Sequence, residues 1–545
     1  MFITIVIRSE YSPYSYRANF YQQCLNACLD NKWILITNEY MKYHHQEMQD
    51  GIVDRFIREF NIRKISSEEF NTIEQYYIPD KLFEDKESSF GSRTEMLSYL
   101  ASEEFPELEI CFSDILQKIR IKHPSEKIDG VLHCAETCQA FRNVCKKENL
   151  TLIPYLFSAI KIPHGYRQTM YYTALEGQLF NSNECERRYK KFLEEDSNIP
   201  VLSHREILAI IGKERTMPLL QLIDHKPKYE MGICCECRDV IPQFYNFNIY
   251  TDDDTFLECE ELFKPEEIKV RSHAMQLDHI QMDRSDVRND AAPFILSCKR
   301  LTSVRSQITL KNLLWKRTAV MKKPTLDFSF MCETDYKSEK LADIKAINFY
   351  VFANLIPANL MFSRDYWKWR MTRPSETEIY HRHLQFIMNE LEIDSTILEE
   401  KDENKRFEKL LRARYCDEEL IPILIENDQN FEVDYEAISS KFVIEGKNHW
   451  RINKVIEDSL VCKIEEKVNA LDSFDFYPID DCAGFAKLIS VYVNGKPVEV
   501  LEAEFKYMKK VTGHYTIILP EIVSGRIVIE CKWQHQTTKD YLAKH

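Results

Sequence analysis

Glycine is unusually scarce in this sequence, at 12 of 545 residues, or about 2% against a usual ~7%. Phosphate-binding loops depend on glycine because their backbone must approach the ligand closely. Neither GxGxxG nor GxxxxGK[ST] occurs anywhere in the chain. These absences disfavour dinucleotide-dependent oxidoreductases of the usual kind, P-loop NTPases and kinases.

The sequence also lacks the features of secreted, membrane-spanning and nucleic-acid-binding proteins. No apolar run approaches the ~18 residues of a membrane span, and the apolar start, residues 2–7, is too short for a secretory signal core. The 17 cysteines are scattered and odd in number, which is typical of reduced thiols. A net charge of −15 argues against a nucleic-acid partner. We predict a cytoplasmic protein, with peripheral association at the inner face of the membrane left open.

Two successive series of strands and helices dominate the first 390 residues. In the first series, strands are predicted at residues 2–7, 32–37, 129–133 and 150–156, with a helix over 135–148. In the second series, strands are predicted at 228–235, 268–271 and 294–297, and a helix over 306–317. A long amphipathic helix follows at 376–392. Strands that alternate with helices predict parallel sheets covered by helices on both faces.

The last 75 residues follow a different pattern. Residues 491–500 read Val-Tyr-Val-Asn-Gly-Lys-Pro-Val-Glu-Val, and Asn494-Gly495 is a strong hairpin signal. Before it, residues 399–406 form a charge-rich stretch that favours a solvated helix. The sequence therefore predicts a helical linker and a small antiparallel β module.

Three stretches resemble the bacterial capsule and O-antigen glycosyltransferases that transfer Kdo (3-deoxy-manno-oct-2-ulosonic acid) from its CMP-activated form. The first holds Pro163, Tyr166, Thr169, Tyr171 and Gly177 in the order found in those enzymes. The second is the turn and helix at 306–314, and the third is the aromatic closing segment at 365–380. The resemblance spans roughly residues 130–392.

The resemblance implies a fold and a domain arrangement. It implies an α/β protein with a GT-B-like pair of Rossmann-like domains and a C-terminal β-rich module. The expected divisions are residues 1–195 for the acceptor side, 196–395 for the nucleotide-sugar side, and 396–545 for the helical linker and β-rich module.

The resemblance also implies a function. We expect transfer of Kdo or another acidic sugar from a CMP-linked donor to a surface polysaccharide, with no cofactor or metal beyond the nucleotide sugar. The partners would be the nucleotide sugar and a glycan or glycolipid acceptor, and association with a membrane surface or protein complex stays open.

Several polar positions depart from the pattern of that family. Arg271-Ser272-His273-Ala274 lacks the proline that usually follows the histidine, and Lys311 stands where a ribose-binding glutamate is usual. Leu156 and Ser158 replace an acidic residue and a glycine. These departures support an alternative, a catalytically silent GT-B-like protein that binds a glycan, a nucleotide or a protein.

The candidate nucleotide site lies in the second series. Arg271 and His273 end a predicted strand, and Arg305, Ser306 and Lys311 surround a predicted helix start. A helix start offers free N–H groups and partial positive charge to a phosphate. The same basic residues are equally typical of a solvated helix face.

The candidate catalytic carboxylates are Glu136 and Asp254. Glu136 follows the strand that ends at residue 133, where ligands bind in open α/β sheets, although a carboxylate there also stabilises a helix start. Asp252 and Asp254 form an Asp-x-Asp, which suits a metal-dependent UDP- or GDP-sugar transferase, but an acidic loop is the favoured interpretation.

Two further motifs are interpreted as structural. Cys234, Cys235 and Cys237 have half the spacing of a zinc site, and buried thiols are favoured because no second half is found. Trp367 and Trp369 favour interdomain packing over sugar stacking.

Overall fold

A computed structural model describes most of the first 414 residues and part of the C-terminal region. The described residues are 1–7, 24, 27, 32–39, 66–87, 89–90, 99–100, 102–134, 138–158, 160, 170–173, 181–195, 199–212, 220, 223–224, 226–235, 252–271, 291–414, 449–451, 461–477, 484–499, 501–506 and 514–535.

The first sheet has seven strands and is mainly parallel. Its strands are β1 (Phe2–Val6), β2 (Trp33–Asn38), β3 (Gln75–Ile78), β4 (Gly130–Cys134), β5 (Leu152–Phe157), β6 (Met170–Thr173) and β11 (Ile356–Pro357). Their spatial order is β11-β6-β5-β4-β1-β2-β3. Strands β1 to β5 are parallel, whereas β6 runs antiparallel to β5 and β11 antiparallel to β6. The final strand thus comes from a part of the chain far beyond the other six.

Helices cover both faces of this sheet, which explains the unbroken apolar run of β1. Ile3 and Ile5 face the core beneath α3 (Pro106–Lys122) and α4 (Gln139–Lys147). Phe2 and Val6 face the opposite core, which also holds side chains of two later helices. A strand buried on both faces needs apolar residues at successive positions. Further helices of this region are α1 (Ser67–Thr72) and α2 (Asp80–Glu87).

The second sheet has four strands, all parallel. They are β7 (Tyr229–Cys234), β8 (Ile268–Arg271), β9 (Cys298–Thr302) and β10 (Thr318–Val320), in the spatial order β10-β9-β7-β8. The helices around them are α5 (Ser182–Glu194), α6 (His204–Ile211), α7 (Asp252–Leu262), α8 (Ala291–Ser297) and α9 (Ile308–Leu314). The prediction of a strand at residues 294–297 is wrong, because these residues end α8 and the strand begins at Cys298.

A helical segment joins the two sheets. It comprises α10 (Ile344–Phe349), a π-helix (Tyr350–Asn354), α11 (Ala358–Met361), α12 (Arg364–Met371), α13 (Glu376–Glu390) and α14 (Glu403–Arg414). Leu355 is buried in the core of the second sheet, and the next residue, Ile356, is buried in the core of the first. The chain therefore crosses between the two cores directly after the π-helix.

The C-terminal region contains long strands in a third, mainly antiparallel sheet. Its strands are β12 (His449–Arg451), β13 (Val461–Tyr477), β14 (Gly484–Val493), β15 (Lys496–Val498), β16 (Leu501–Lys506) and β17 (His514–His535). The predicted Asn494-Gly495 turn joins β14 to β15. Asn494 Oδ1 accepts a hydrogen bond from Arg526 N at 2.9 Å, and its Nδ2 donates to Ser524 O at 3.0 Å. The turn is thereby fixed against Gly525, whose φ is +117°.

The predicted α/β class is confirmed: the described residues form two mainly parallel sheets with covering helices and a C-terminal, mainly antiparallel β-rich module. The divisions at residues 195 and 395 stay predictions. In the described part of the chain, no helix is both long enough and apolar enough to cross a membrane.

Two truncations should separate the roles of α14 and the β-rich module. Phe407, Leu410 and Leu411 of α14 are buried in the core of the second sheet, and Arg406 pairs with the fully buried Glu206. A chain ending at Arg414 should therefore keep a cooperative unfolding transition. A chain ending at residue 392 also lacks the buried Ile393 and so loses four core side chains, each worth about 2–5 kcal/mol; it should unfold at clearly lower denaturant.

Urea unfolding followed by circular dichroism and tryptophan fluorescence compares the two truncated chains. Equal midpoints would show that α14 contributes nothing to the core. A chain ending at Arg414 that aggregates would show that the β-rich module is not separable.

Candidate functional site

Two of the predicted nucleotide-binding residues, Arg271 and Arg305, lie at carboxyl ends of strands in the second sheet. The chain enters the sheet at β7, adds β8 on one side and β9 on the other, and thus reverses its direction of winding there. Ligands of open α/β sheets bind in the crevice outside such a reversal point. Arg271 ends β8, and Arg305 follows β9 by three residues. Two strand spacings, roughly 10 Å, separate these strand ends.

The loop after β9 is organised by buried hydroxyl groups. Ser303 is 3% exposed, and its Oγ lies 2.7 Å from Thr309 Oγ1. Ser303 Oγ also accepts a hydrogen bond from Ser306 N at 3.0 Å. Ser306 Oγ in turn accepts from Ile308 N at 3.4 Å. Two amides at the start of α9 are therefore already satisfied internally, and the phosphate-binding capacity of this loop depends on its side chains.

Arg305 and Lys311 differ in their position relative to that edge. Arg305 is half-buried within the loop itself, directly outside the carboxyl end of β9. Lys311 lies about one turn into α9, where its carbonyl accepts a hydrogen bond from Trp315 N at 3.1 Å. Arg305 is consequently the residue of the two that stands nearer to the strand end.

Arg271 is held firmly at the end of β8. Its side chain is 8% exposed, its guanidinium lies 5.9 Å from the centre of the Phe294 ring, and its carbonyl accepts a hydrogen bond from Cys235 N at 2.8 Å. Burial raises the pKa of Cys234 well above its usual range, and the charge of Arg271 offsets this only in part. Cys234 is thus a neutral, buried thiol, in agreement with its structural interpretation.

The three aspartates form the first turn of α7, beside the carboxyl end of β7. Carboxylates at this position stabilise a helix by interacting with its partial positive charge. The charge of Asp252 helps to raise the pKa of Cys234, the last residue of β7, so the first turn of α7 lies near that strand end. Asp254 is half-buried in the same turn. No group of three metal-binding side chains occurs among the residues with a described structure.

Two predicted site residues, Glu136 and His273, lie outside the described residues. Of the predicted catalytic pair, the structure therefore places only Asp254. Arg271, Arg305, Ser306 and Lys311 remain predictions as nucleotide ligands.

The sequence alone did not draw attention to His133, at the end of β4. Its side chain is fully buried, its ring packs edge-on against Phe141 with centroids 5.0 Å apart, and neither ring nitrogen has a hydrogen-bond partner among the residues that the structure describes. Burial and the charge of Arg142 lower the pKa of His133 to about 3, so the imidazole is neutral. The sequence signal for His133 is a polar side chain next to the end of an otherwise apolar strand.

Comparisons with known proteins give only distant likenesses. No protein-family model matches the chain, and no curated protein matches it. The chain is similar to the β-Kdo 2,7 transferase of Thermosulfurimonas dismutans KpsC, with 12% identity, coverage of 55% of this chain and 95% of that one, and a TM-score of 0.29.

It is also similar to UDP-GlcNAc 2-epimerase of Methanocaldococcus jannaschii, a structure in complex with UDP-GlcNAc and UDP, with 11% identity, 68% and 99% coverage, and a TM-score of 0.27. A third likeness is to the wall teichoic acid polymerase TagF, with 12% identity, 59% and 70% coverage, and a TM-score of 0.18.

Proposed function

We propose that this chain is a GT-B-type glycosyltransferase whose nucleotide sugar binds at the carboxyl edge of the second sheet. The observation that carries the proposal is the position of Arg271 and Arg305 at two strand ends that flank the reversal point of that sheet. Arginine presents a planar, permanently charged fork that matches phosphate and carboxylate oxygens. Two such groups at a ligand-binding edge suit an anionic donor.

The proposed donor is a CMP-linked acidic sugar, and the proposed acceptor is a surface polysaccharide. Both follow from the sequence resemblance described above. A CMP-linked acidic sugar carries a phosphate and a sugar carboxylate, so two cationic side chains balance its charge. In this proposal, Arg271 and Arg305 orient the donor and neutralise its negative charge.

In the proposed reaction, a hydroxyl group of the acceptor attacks the anomeric carbon of the donor. A new carbon–oxygen bond forms, the bond from the anomeric carbon to the phosphate oxygen breaks, and CMP leaves with that electron pair. Glu136 or Asp254 serves as the base that takes the hydroxyl proton.

A second candidate is a catalytically silent binding protein. The observation that favours it is the negative charge of the first turn of α7, which lies at the same edge as Arg271 and opposes binding of an anion there. Lys311 also favours the catalytically silent protein, because a lysine cannot accept hydrogen bonds from ribose hydroxyl groups as a carboxylate does.

Isothermal titration of the full-length protein with CMP, UDP and GDP tests the proposed site. We expect CMP to bind most tightly. Arg305→Ala and Arg271→Ala should each weaken its binding by roughly 10- to 150-fold, because a hydrogen bond to a charged group contributes about 1.5–3 kcal/mol. Arg187→Ala is the matched control, since that side chain is 64% exposed on α5, where it pairs with Glu184.

The outcomes separate the two candidates. Binding that is unchanged in both edge variants would show that the site lies elsewhere. No binding of any nucleotide would favour the silent protein over the transferase. CMP binding without release of CMP from a CMP-linked sugar in the presence of acceptor would identify a nucleotide-binding protein that is not a transferase.

A further inference from the structure

The crossover between the two cores, at Leu355 and Ile356, is preceded by the π-helix Tyr350–Asn354. Single π-helical turns interrupt the regular hydrogen-bonding pattern of a helix and occur frequently at functional positions. Asn354, the last residue of the π-helix, is 4% exposed and makes side-chain contacts on both sides. The point where the chain passes from one core to the other is thus fixed by polar contacts as well as by packing.

The orientation of the Asn354 amide is set by its two partners. Its Oδ1 accepts a hydrogen bond from Arg188 Nη1 at 2.8 Å, and its Nδ2 donates to Asp327 Oδ2 at 3.1 Å. A guanidinium can only donate, so the amide oxygen must face Arg188 and the amide nitrogen must face Asp327. Asp327 therefore has to present an acceptor atom to Asn354, which both the ionised and the protonated carboxyl group can do.

The other contacts of Asp327 also suit either protonation state. The carboxyl group is 7% exposed, and its Oδ1 lies 2.9 Å from the Tyr350 hydroxyl and 3.1 Å from Phe328 N. A tyrosine hydroxyl either donates or accepts, so it can donate to the carboxylate or accept the proton of the carboxylic acid. The groups that donate hydrogen bonds to the carboxylate, namely the Tyr350 hydroxyl, the Asn354 amide and backbone N–H groups, are neutral.

Among the described residues, no charged side chain forms an ion pair or hydrogen bond with Asp327. From α5, Cys185 and Arg188 face it, and Arg188 is engaged by Glu376 of α13 through two hydrogen bonds of 2.9 and 2.7 Å. Among the described residues, the other titratable side chain that faces Asp327 is Tyr350 of the π-helix. Burial accordingly raises the pKa of Asp327 to about 6, although the hydrogen bonds from Tyr350 and Asn354 lower it in part.

We propose that Asp327, Asn354 and Arg188 form a proton-sensitive lock on the crossover, which is closed when Asp327 carries a proton and weakened when it ionises. A buried carboxylate without a direct cationic partner is costly, and opening of the crossover would return it to water. The direction follows from linkage: a carboxyl group with a higher pKa in the closed form than in the open form favours closure at low pH. This inference does not depend on the proposed transferase activity.

Hydrogen exchange of the full-length protein at pH 5.0 and 7.5 tests the lock. With a pKa of about 6 in the closed form and an ordinary value of 3.8 in the open form, opening should be about tenfold more frequent at pH 7.5. Amides of residues 350–356 should therefore exchange about tenfold faster at pH 7.5, after correction for the intrinsic rate of exchange. Amides of β9 in the same core should not change by this factor.

The variants assign the effect to one carboxyl group. Asp327→Asn cannot ionise and should abolish the pH dependence. Asp343→Asn makes the same chemical change at an exposed residue that caps α10, and should leave the effect intact.

Three results would overturn the inference: equal corrected rates at both pH values in the wild-type protein, an equal rise in β9, or a pH effect that survives in Asp327→Asn. The wild-type comparison decides the matter even if Asp327→Asn does not fold.

Discussion

Replacement of Glu376 by glutamine should lower the free energy of unfolding by about 3–5 kcal/mol, because it leaves Arg188 buried without its carboxylate. The Arg188 and Glu376 side chains are 13% and 8% exposed, and the guanidinium binds both carboxylate oxygens. Burial by itself raises the pKa of Glu376, but the charge and hydrogen bonds of Arg188 outweigh it, so the pKa lies below its ordinary value. The ion pair therefore stabilises the protein above the ordinary pKa of a glutamate, and this contribution is lost as the pH falls through the folded-state pKa.

Urea denaturation at pH 7 of the wild type and three variants checks this expectation. Glu378→Gln changes an exposed capping residue of the same helix and should have a smaller effect. The double variant Arg188→Met/Glu376→Leu removes both charges and should recover much of the loss, since apolar replacement of a buried pair is often neutral. If Glu376→Gln is no less stable than Glu378→Gln, the pair does not contribute as its geometry indicates.

Replacement of Trp367 by alanine should cost about 3–5 kcal/mol, the usual range for removal of a large buried aromatic side chain. Trp367 is fully buried against the first sheet, and its Nε1 donates a hydrogen bond to Met361 O at 2.6 Å. The substitution creates a cavity and also leaves that carbonyl without its partner.

The neighbouring Trp369 provides a matched comparison. It is half-buried, and the Arg382 guanidinium lies 4.1 Å from the centre of its ring. Trp369→Ala should therefore lower the thermal unfolding temperature less than Trp367→Ala. A weak effect of Trp367→Ala on stability, together with weakened glycan binding, would instead support the sugar-stacking interpretation of this pair.

Local sequence patterns predicted the elements that are specified by local physics. The strand at residues 268–271 and the Asn494-Gly495 hairpin occur where they were expected. Residues 294–297 were predicted as a strand because a short apolar run fits a buried strand and a buried helix equally well. Neither β11 nor the π-helix could be predicted. β11 has only two residues, and it pairs with β6 only through tertiary structure.

From the sequence, the candidate site could be assigned to the carboxyl edge of the second sheet, but the contacts within it could not be predicted. Strand ends in parallel sheets lie on the same side, which suffices to bring Arg271 and Arg305 together. The sequence did not reveal that Ser306 is engaged at the start of α9, because that depends on Ser303 and Thr309 folding back into the loop. The Asp327 contacts were equally hidden, because Asn354 links residues 27 and 166 positions away.

The position of β11 affects the order of events during synthesis on the ribosome. Ile356 pairs with Tyr171 of β6, so the outer partner of β6 emerges only after about 185 further residues have been made. At about 5–20 residues per second, that delay is roughly 10–40 seconds. Throughout this interval the outer edge of β6 has unpaired backbone groups, which can pair with other chains. A nascent chain of this protein is therefore open to pairing with neighbouring chains along this edge of the first sheet until β11 has been made.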